Sequence, residues 1–281
     1  MVQSLGINAS DLHVAVLKLG VWRLLGLETR DAFTNMSIDE AVLTARIQGK
    51  VPNTLRFFMW NPSAVSIGRF QNASNEVDLE DCKKHGVDVV RRISGGGAVY
   101  HDCDGEITYS VIASSEDVGP GDVFQAYRRI CSGLTETVEM LGVHAGFSPG
   151  DPRQCPNITV SGRKLSGSAQ AHKKGILLQH GTLLLDVDLK KMFTYLKVPW
   201  AKTNMDIVSV AERKLTSLKQ ELGSNVSTKE ACKALATGFE KALDMHLETG
   251  ELTRFERDLA QRLCTTKFAT DDWNLRGKTA L

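Results

Sequence analysis

Neither sign of charge is in excess. Lys and Arg number 34 against 33 Asp and Glu, for a net charge of +1. No long-range field follows that would gather nucleic acid or anionic lipid, so neither is an expected partner. No apolar run approaches the ~20 residues that a membrane span needs. Residues 12–25 are apolar, yet they lack the basic lead-in and the small-residue cleavage site of a signal peptide. Cysteine is sparse and scattered, at positions 82, 103, 131, 155, 232 and 264. No Cys-x-x-Cys pair occurs, which argues against a structural zinc site. A chain of this size does not depend on disulfides, so all six are expected as reduced thiols in a cytoplasmic protein. Internal repeats and low-complexity tracts are absent.

What is there suits a globular enzyme. Hydrophobic residues make up 42% and charged residues 24% of 281 positions, enough for one sizeable core. Residues 1–20 read as an N-terminal extension, with disorder an open alternative. Ser37-Ile38-Asp39-Glu40 has the spacing of a capping box and predicts a helix over 37–48. Apolar runs at 55–60 and 64–68 around Asn61-Pro62 predict a hairpin-like pair of strands. Residues 78–85 predict a short helix closed by Gly86, and 87–91 a strand. Residues 106–113 alternate in period two. Val123, Tyr127, Ile130, Leu134, Val138 and Leu141 mark an amphipathic helix from Asp122 to Gly142. Strands are expected at 158–160, 164–170 and 176–185, and helices at 189–196, 229–246 and 251–263. Strands and helices mix without strict alternation, which predicts an α+β fold. Its sheet is mixed and mostly antiparallel, with helices packed on one side.

Two segments carry chemistry. The first is Arg91-Arg92-Ile93-Ser94-Gly95-Gly96-Gly97-Ala98-Val99-Tyr100-His101-Asp102. Three consecutive glycines let a ligand lie directly against backbone amides. Arg91 and Arg92 put positive charge at the entrance, suited to a phosphate or carboxylate. No Gly-Lys-Ser/Thr follows, and no helix opens after the glycines, so neither nucleotide-binding fingerprint applies. A plain hairpin turn is the alternative. The second segment is Asn157-Ile158-Thr159-Val160-Ser161-Gly162-Arg163-Lys164-Leu165-Ser166-Gly167-Ser168-Ala169. Ser161-Gly162 reads as a tight turn. Strict alternation puts Lys164, Ser166 and Ser168 on one face and Leu165, Gly167 and Ala169 on the other. Lys164 is either an inward point charge or a solvated charge at a hairpin tip. His180 is either a core histidine or a ligand contact.

Together the two segments resemble the lipoate–protein ligase A family, which is grouped with biotin protein ligases and octanoyltransferases. The resemblance extends to Asn35-Met36-Ser37-Ile38-Asp39-Glu40-Ala41, to Ser66-Ile67-Gly68-Arg69-Phe70-Gln71 and to Leu178-Gln179-His180-Gly181. It implies a biotin/lipoyl protein ligase-like catalytic domain over 21–246 and a helical tail over 247–281, without a full accessory domain. The implied reaction joins lipoate or octanoate to AMP, with ATP and Mg²⁺ as cofactors. The acyl group then passes to a lysine of apo lipoyl domains of 2-oxoacid dehydrogenases or of glycine-cleavage H protein. A separate small accessory subunit is a further implied partner. By motif, Arg92, Gly97, Ala98, Val99 and Tyr100 contact the nucleotide or adenylate. Gly95 and Gly96 line the acyl tunnel with His101 at its side, and Gly167, Ser168 and His180 complete the acyl-binding set. Lys164 is the catalytic residue that holds carboxylate and α-phosphate together. No side chain is assigned to the metal.

Two other readings stand beside the ligase. In the first, the chain is an octanoyltransferase that takes its acyl group from acyl carrier protein through a Cys155 thioester. On the ligase reading Cys155 is a bystander whose removal is tolerated. In the second, the chain is a non-catalytic acyl- or cofactor-binding protein.

Overall fold

β6 (Glu106–Ser114) is buried on both faces, and the rest of the architecture follows from that. Tyr109 and Val111 point into one apolar layer and Ile112 into another. The computed structural model describes residues 20–150, 155–198 and 204–278. The extension expected over residues 1–20 lies outside them, Gly20 apart. In chain order the strands flanking β6 are β1 (Gly20–Arg30), β2 (Thr54–Trp60), β3 (Ala64–Ile67), β4 (Asp88–Arg91) and β5 (Val99–His101). After it come β7 (Gly146–Ser148), β8 (Asn157–Val160), β9 (Arg163–Lys173), β10 (Ile176–Leu184) and β11 (Met245–Gly250). One sheet has the order β11-β1-β2-β6-β10-β9-β8-β7, and a small one the order β4-β3-β5. In the large sheet β1 is parallel to both neighbours, and the other pairings are antiparallel. The expected α+β class and mixed, mostly antiparallel sheet are both present.

Helices cover both faces of the large sheet, not one as expected. Val123–Met140 and Thr228–Leu243 pack on the first face, with Ile130, Leu134, Val138, Leu235 and Phe239 in the main core. Ala32–Ile47 and Arg254–Leu263 cover the second, where Ile38, Val42 and Leu259 meet Leu178. Residues 106–113 alternate apolar and polar, as read. Thr108 and Ser110 of β6 are buried and hydrogen-bonded, so polar character there does not mean solvent.

The first helix starts earlier than the capping-box pattern suggested. Asp31 caps it, accepting the Thr34 amide at 2.9 Å, and the helix runs from Ala32. Ser37 sits one turn inside, its hydroxyl bonded back to the Phe33 carbonyl at 2.6 Å. The runs at 55–60 and 64–68 do not pair with each other. β2 lies between β1 and β6, whereas β3 is the centre of the small sheet. The short helix Leu79–His85 and its left-handed Gly86 stop are as expected.

The helix expected over 229–246 stops at Leu243, because Asp244 turns left-handed at φ 52° and β11 begins. β11 continues to Gly250 beside β1, and helical segments follow from Arg254 to Asn274. The following segment closes over β4: Arg91 bonds the Trp273 and Asn274 carbonyls, and the Trp273 indole bonds the Arg91 carbonyl.

Candidate active site

The small sheet exists to hold the glycine loop. β4 ends at Arg91, β5 begins at Val99, and both flank β3. The loop between them rests on Gly68, where an added Cβ would fall 2.0 Å from the Gly96 carbonyl oxygen. Only glycine fits that approach. Arg92 shapes the loop from beneath. Its Nη2 donates to the Gly95 carbonyl at 2.7 Å and the Gly97 carbonyl at 2.9 Å, and Nη1 to the Ser66 carbonyl at 2.8 Å. In a planar trans peptide the N–H points opposite to the C=O. Tying down the carbonyls of residues 95 and 97 therefore turns the amides of Gly96 and Ala98 away from the guanidinium.

Arg91 does not stand at the entrance. It is buried, and its guanidinium bonds the backbone carbonyls of Gly68, Arg69 and Gln71 as well as the two at the C-terminal segment. It fastens loops and offers no charge to a ligand.

The lysine segment forms a hairpin through Ser161 and Gly162, both at positive φ (48° and 79°), as a two-residue turn of this hand requires. Strict alternation fails after it. Asn157 pairs with Gly167 and Ile158 with Ser166, but Thr159 pairs with Lys164, so the register shifts by one around Leu165. This bulge sends Leu165 into the core and puts Lys164 on the same face as Gly167. The Lys164 backbone is held from the other side by the Lys214 carbonyl at 2.7 Å and the Thr216 amide at 2.9 Å.

Between the glycine loop and this hairpin lies a cavity of about 720 Å³. That size fits a small-molecule or acyl site. Arg92, Gly96, Gly97, Ala98, Val99, Tyr100 and His101 line it, together with Lys164, Gly167, Ser168, His180 and Cys155. Gly95 is the expected site residue that does not line it; its carbonyl is turned to Arg92. Met36, Trp60, Thr108, Thr182 and Leu184 add walls that the motifs did not single out.

Cys155 is a free thiol at this cavity. A Cβ on Gly96 would touch the Cys155 sulfur at 3.5 Å and Arg92 Nη2 at 3.3 Å, so thiol and guanidinium share one small space. Burial pushes Arg92 down to about 10, against the opposing pull of the Cys155 sulfur. Burial also lowers Lys164; the Cys155 sulfur resists that, and Arg92 adds to it. Among the described residues no carboxylate pairs with either cation. The cavity therefore sets one buried cation, Arg92, and one half-buried cation, Lys164, beside one thiol.

Both histidines line the cavity, yet their ring nitrogens are occupied. His101 Nδ1 meets Glu106 Oε1 at 2.6 Å and Nε2 meets the Ser66 hydroxyl at 2.7 Å, with the ring stacked on Trp60. His180 Nδ1 meets Asp39 Oδ2 at 3.1 Å and Nε2 the Ser94 hydroxyl at 2.6 Å. Burial lowers His180 more than Asp39 raises it. Asp39 also accepts from Arg56 at 2.8 Å and from Ser110. Burial alone would raise Asp39; its bonds to His180, Arg56 and Ser110 outweigh that and hold it below the usual carboxylate range. Asp39, Ser66, Ser94 and Glu106 were not among the expected site residues. Each is polar at a position where periodicity alone gives no sign of burial.

The fold around this site is that of lipoate–protein ligase catalytic domains. The bi-partite lipoate protein ligase of Thermoplasma acidophilum, solved with its E2 lipoyl domain, superposes with a TM-score of 0.80. It is 29% identical and aligns over 94% of this chain and 99% of that one. A lipoate-protein ligase A bound with ATP gives 0.78 at 30% identity, over 92% and 98%. The chain belongs to the lipoyl protein ligase A/B catalytic domain family, whose match covers residues 31–240. In sequence it is similar to octanoyltransferase LipM of Symbiobacterium thermophilum, 40% identical over 272 residues, which span 91% of this chain and 98% of that protein. It is also similar to octanoyltransferase LipM of Bacillus subtilis, 36% identical over 274 residues and the same shares of each.

Proposed function

We propose that the chain is an octanoyltransferase that moves a medium-chain acyl group through a thioester on Cys155 to a lysine of a lipoyl domain or glycine-cleavage H protein. The observation that carries this reading is the Cys155 sulfur set against Gly96, with the cations Arg92 and Lys164 around it and, among the described residues, no carboxylate paired with either. A ligase has no use for a thiol there. The similarity to proteins named octanoyltransferase LipM, at up to 40% identity over nearly their whole length, supports the same choice.

The Cys155 thiolate attacks the carbonyl of an octanoyl thioester on acyl carrier protein. The new C–S bond forms, the bond to the carrier sulfur breaks, and the carrier leaves as a thiol once it takes a proton. The ε-amine of the acceptor then attacks the Cys155 thioester. An amide forms, Cys155 leaves as thiolate, and the amine loses one proton. Lys164 serves as the proton exchanger in both halves, because burial lowers its pKa from the ordinary lysine value and eases the transfer. The amides of Gly96 and Ala98 are oriented by Arg92 and have no other acceptor among the described residues. They suit the oxyanion that develops in each half. The apolar wall around Met36, Trp60 and Leu184 receives the chain, at about 0.8 kcal/mol per buried methylene.

The test offers the chain two donors with one apo lipoyl domain as acceptor. One arm holds octanoyl-acyl carrier protein without ATP; the other holds octanoate, ATP and Mg²⁺. Octanoylated acceptor in the first arm alone is the expected result. Product in the second arm alone would return the chain to the ATP-dependent ligase reading, which the ATP-bound structural relative supports.

A further inference from the structure

The two buried histidines belong to one construction. Glu106, His101 and Ser66 form a carboxylate–imidazole–hydroxyl series, and Asp39, His180 and Ser94 form a second. Both end on the same guanidinium. Arg92 Nη1 donates to Ser66 Oγ at 3.0 Å and Nε donates to Ser94 Oγ at 3.3 Å. Each series has the connectivity of a hydrolytic serine triad, but neither serine is a nucleophile. Both are buried, and Arg92 donates into each hydroxyl oxygen where a triad serine would face substrate.

The proton order follows from satisfaction of buried groups. Each serine oxygen accepts from Arg92, so its own proton needs an acceptor, and among the described residues the histidine Nε2 is the one in reach. Each imidazole is then neutral with its hydrogen on Nδ1, donated to Glu106 or Asp39. Thr108 adds a second bond to Glu106 Oε1, and Arg56 and Ser110 add theirs to Asp39. Asp39 is thereby held through both oxygens and Glu106 through Oε1, while the buried Glu106 Oε2 has no partner among the described residues.

We infer that Asp39, Glu106, Ser66, Ser94, His101 and His180 are positioning residues that lock the Arg92 guanidinium beside the Cys155 sulfur. This assigns the two histidines to neither acyl contact nor proton transfer. It rests on the reading of Cys155 as the acyl carrier of the reaction, because a charge fixed beside an inert thiol would serve no step. With its five N–H groups directed to two serines and three carbonyls, Arg92 cannot swing away. The thiolate keeps a counter-charge that costs no reorganisation.

The first test uses the unmutated chain. Side-chain ¹⁵N spectra at neutral pH are expected to show His101 and His180 both as the neutral Nδ1–H tautomer. An Nε2–H tautomer or an imidazolium at either residue overturns the proton order and the inference with it. The second test measures Cys155 alkylation by iodoacetamide against pH, read on the Cys155 peptide by mass spectrometry, in Ser66→Ala, Ser94→Ala and the double variant. The midpoint is expected to rise by about half a pH unit in each single variant, a threefold loss of thiolate at fixed pH. The double variant should fall short of the sum, because both hydroxyls act through one guanidinium. Unchanged midpoints in variants that melt normally would make the serines structural only. Should a serine variant fail to fold, Arg92→Lys carries the test, since a lysine keeps the charge but cannot hold both serines: its midpoint should rise, and a wild-type value contradicts the lock. These readouts need no turnover, so they stand apart from the donor assay. A rise in midpoint with no acyl transfer would sink the transferase reading alone.

Discussion

The ammonium of Lys164 occupies the space that a side chain on residue 167 would need. A Cβ built on Gly167 lies 2.5 Å from Lys164 Nζ and 2.6 Å from Cε. The bulge at Leu165 brings the two residues to one face, and the missing side chain lets the lysine lie flat along the strand toward the cavity. Gly167→Ala is expected to push the ammonium aside and lower turnover by about 10²-fold, as misplacement by an ångström does. In a double-mutant cycle with Lys164→Ala the second change should add little. Additive losses would mean that Gly167 matters for the acyl chain and not for the lysine.

Lys164→Ala should leave a folded protein with acyl transfer reduced by about 10²–10⁴-fold. Thermal melting and transfer rate, measured on the same preparation, decide it. Near-normal turnover would remove the lysine from the mechanism.

The interface between Val123–Met140 and Thr228–Leu243 depends on two glycines. A Cβ at Gly238 would lie 2.5 Å from Thr137 Oγ1 and 2.6 Å from the Gly133 carbonyl oxygen. Gly238→Ala gains about 0.5–1 kcal/mol of helix propensity but forces these helices apart at a cost of about 1–3 kcal/mol. Urea unfolding should show a lower midpoint with little change in slope. An unchanged or higher midpoint would show that the helices have room to give.

His180 makes stability depend on pH. Its folded pKa lies below the ordinary 6.5, through burial. The stabilising contribution is present above 6.5 and declines as pH falls from there toward the lowered value, because the unfolded chain takes up a proton that the native ring refuses. The stability difference between the wild-type chain and His180→Gln should therefore shrink from pH 7.5 to pH 5.5. A constant difference across that range would place the titration elsewhere.

Local signals were legible in the sequence where one short segment satisfies itself. Asp78 and Gly86 bound their helix, Asp122 starts the long one, and Ser161-Gly162 turns the hairpin as read. The glycine loop and Lys164 also meet at one cavity. Misreadings arose where a distant partner decides. Ser37-Ile38-Asp39-Glu40 imitates a cap, yet Asp39 points inward because Arg56 and His180 await it. Arg91 looks like an anion ligand beside Arg92, but the chain's own carbonyls from residues 68–71 and 273–274 take its donors. One bulge reversed the face assigned to Gly167. Cys155 stood in the sequence only as the nucleophile of the alternative reading; its place beside Gly96, 59 positions earlier in the chain, is visible only in space.

The most direct measurement is the fate of Cys155 in the presence of octanoyl-acyl carrier protein alone, without ATP or acceptor. Peptide mass spectrometry should find one octanoyl group on Cys155, released by neutral hydroxylamine and passed to an apo lipoyl domain on its addition. Cys155→Ala should form neither the thioester nor the product. A Cys155→Ala chain that octanoylates the acceptor at the wild-type rate would contradict the account.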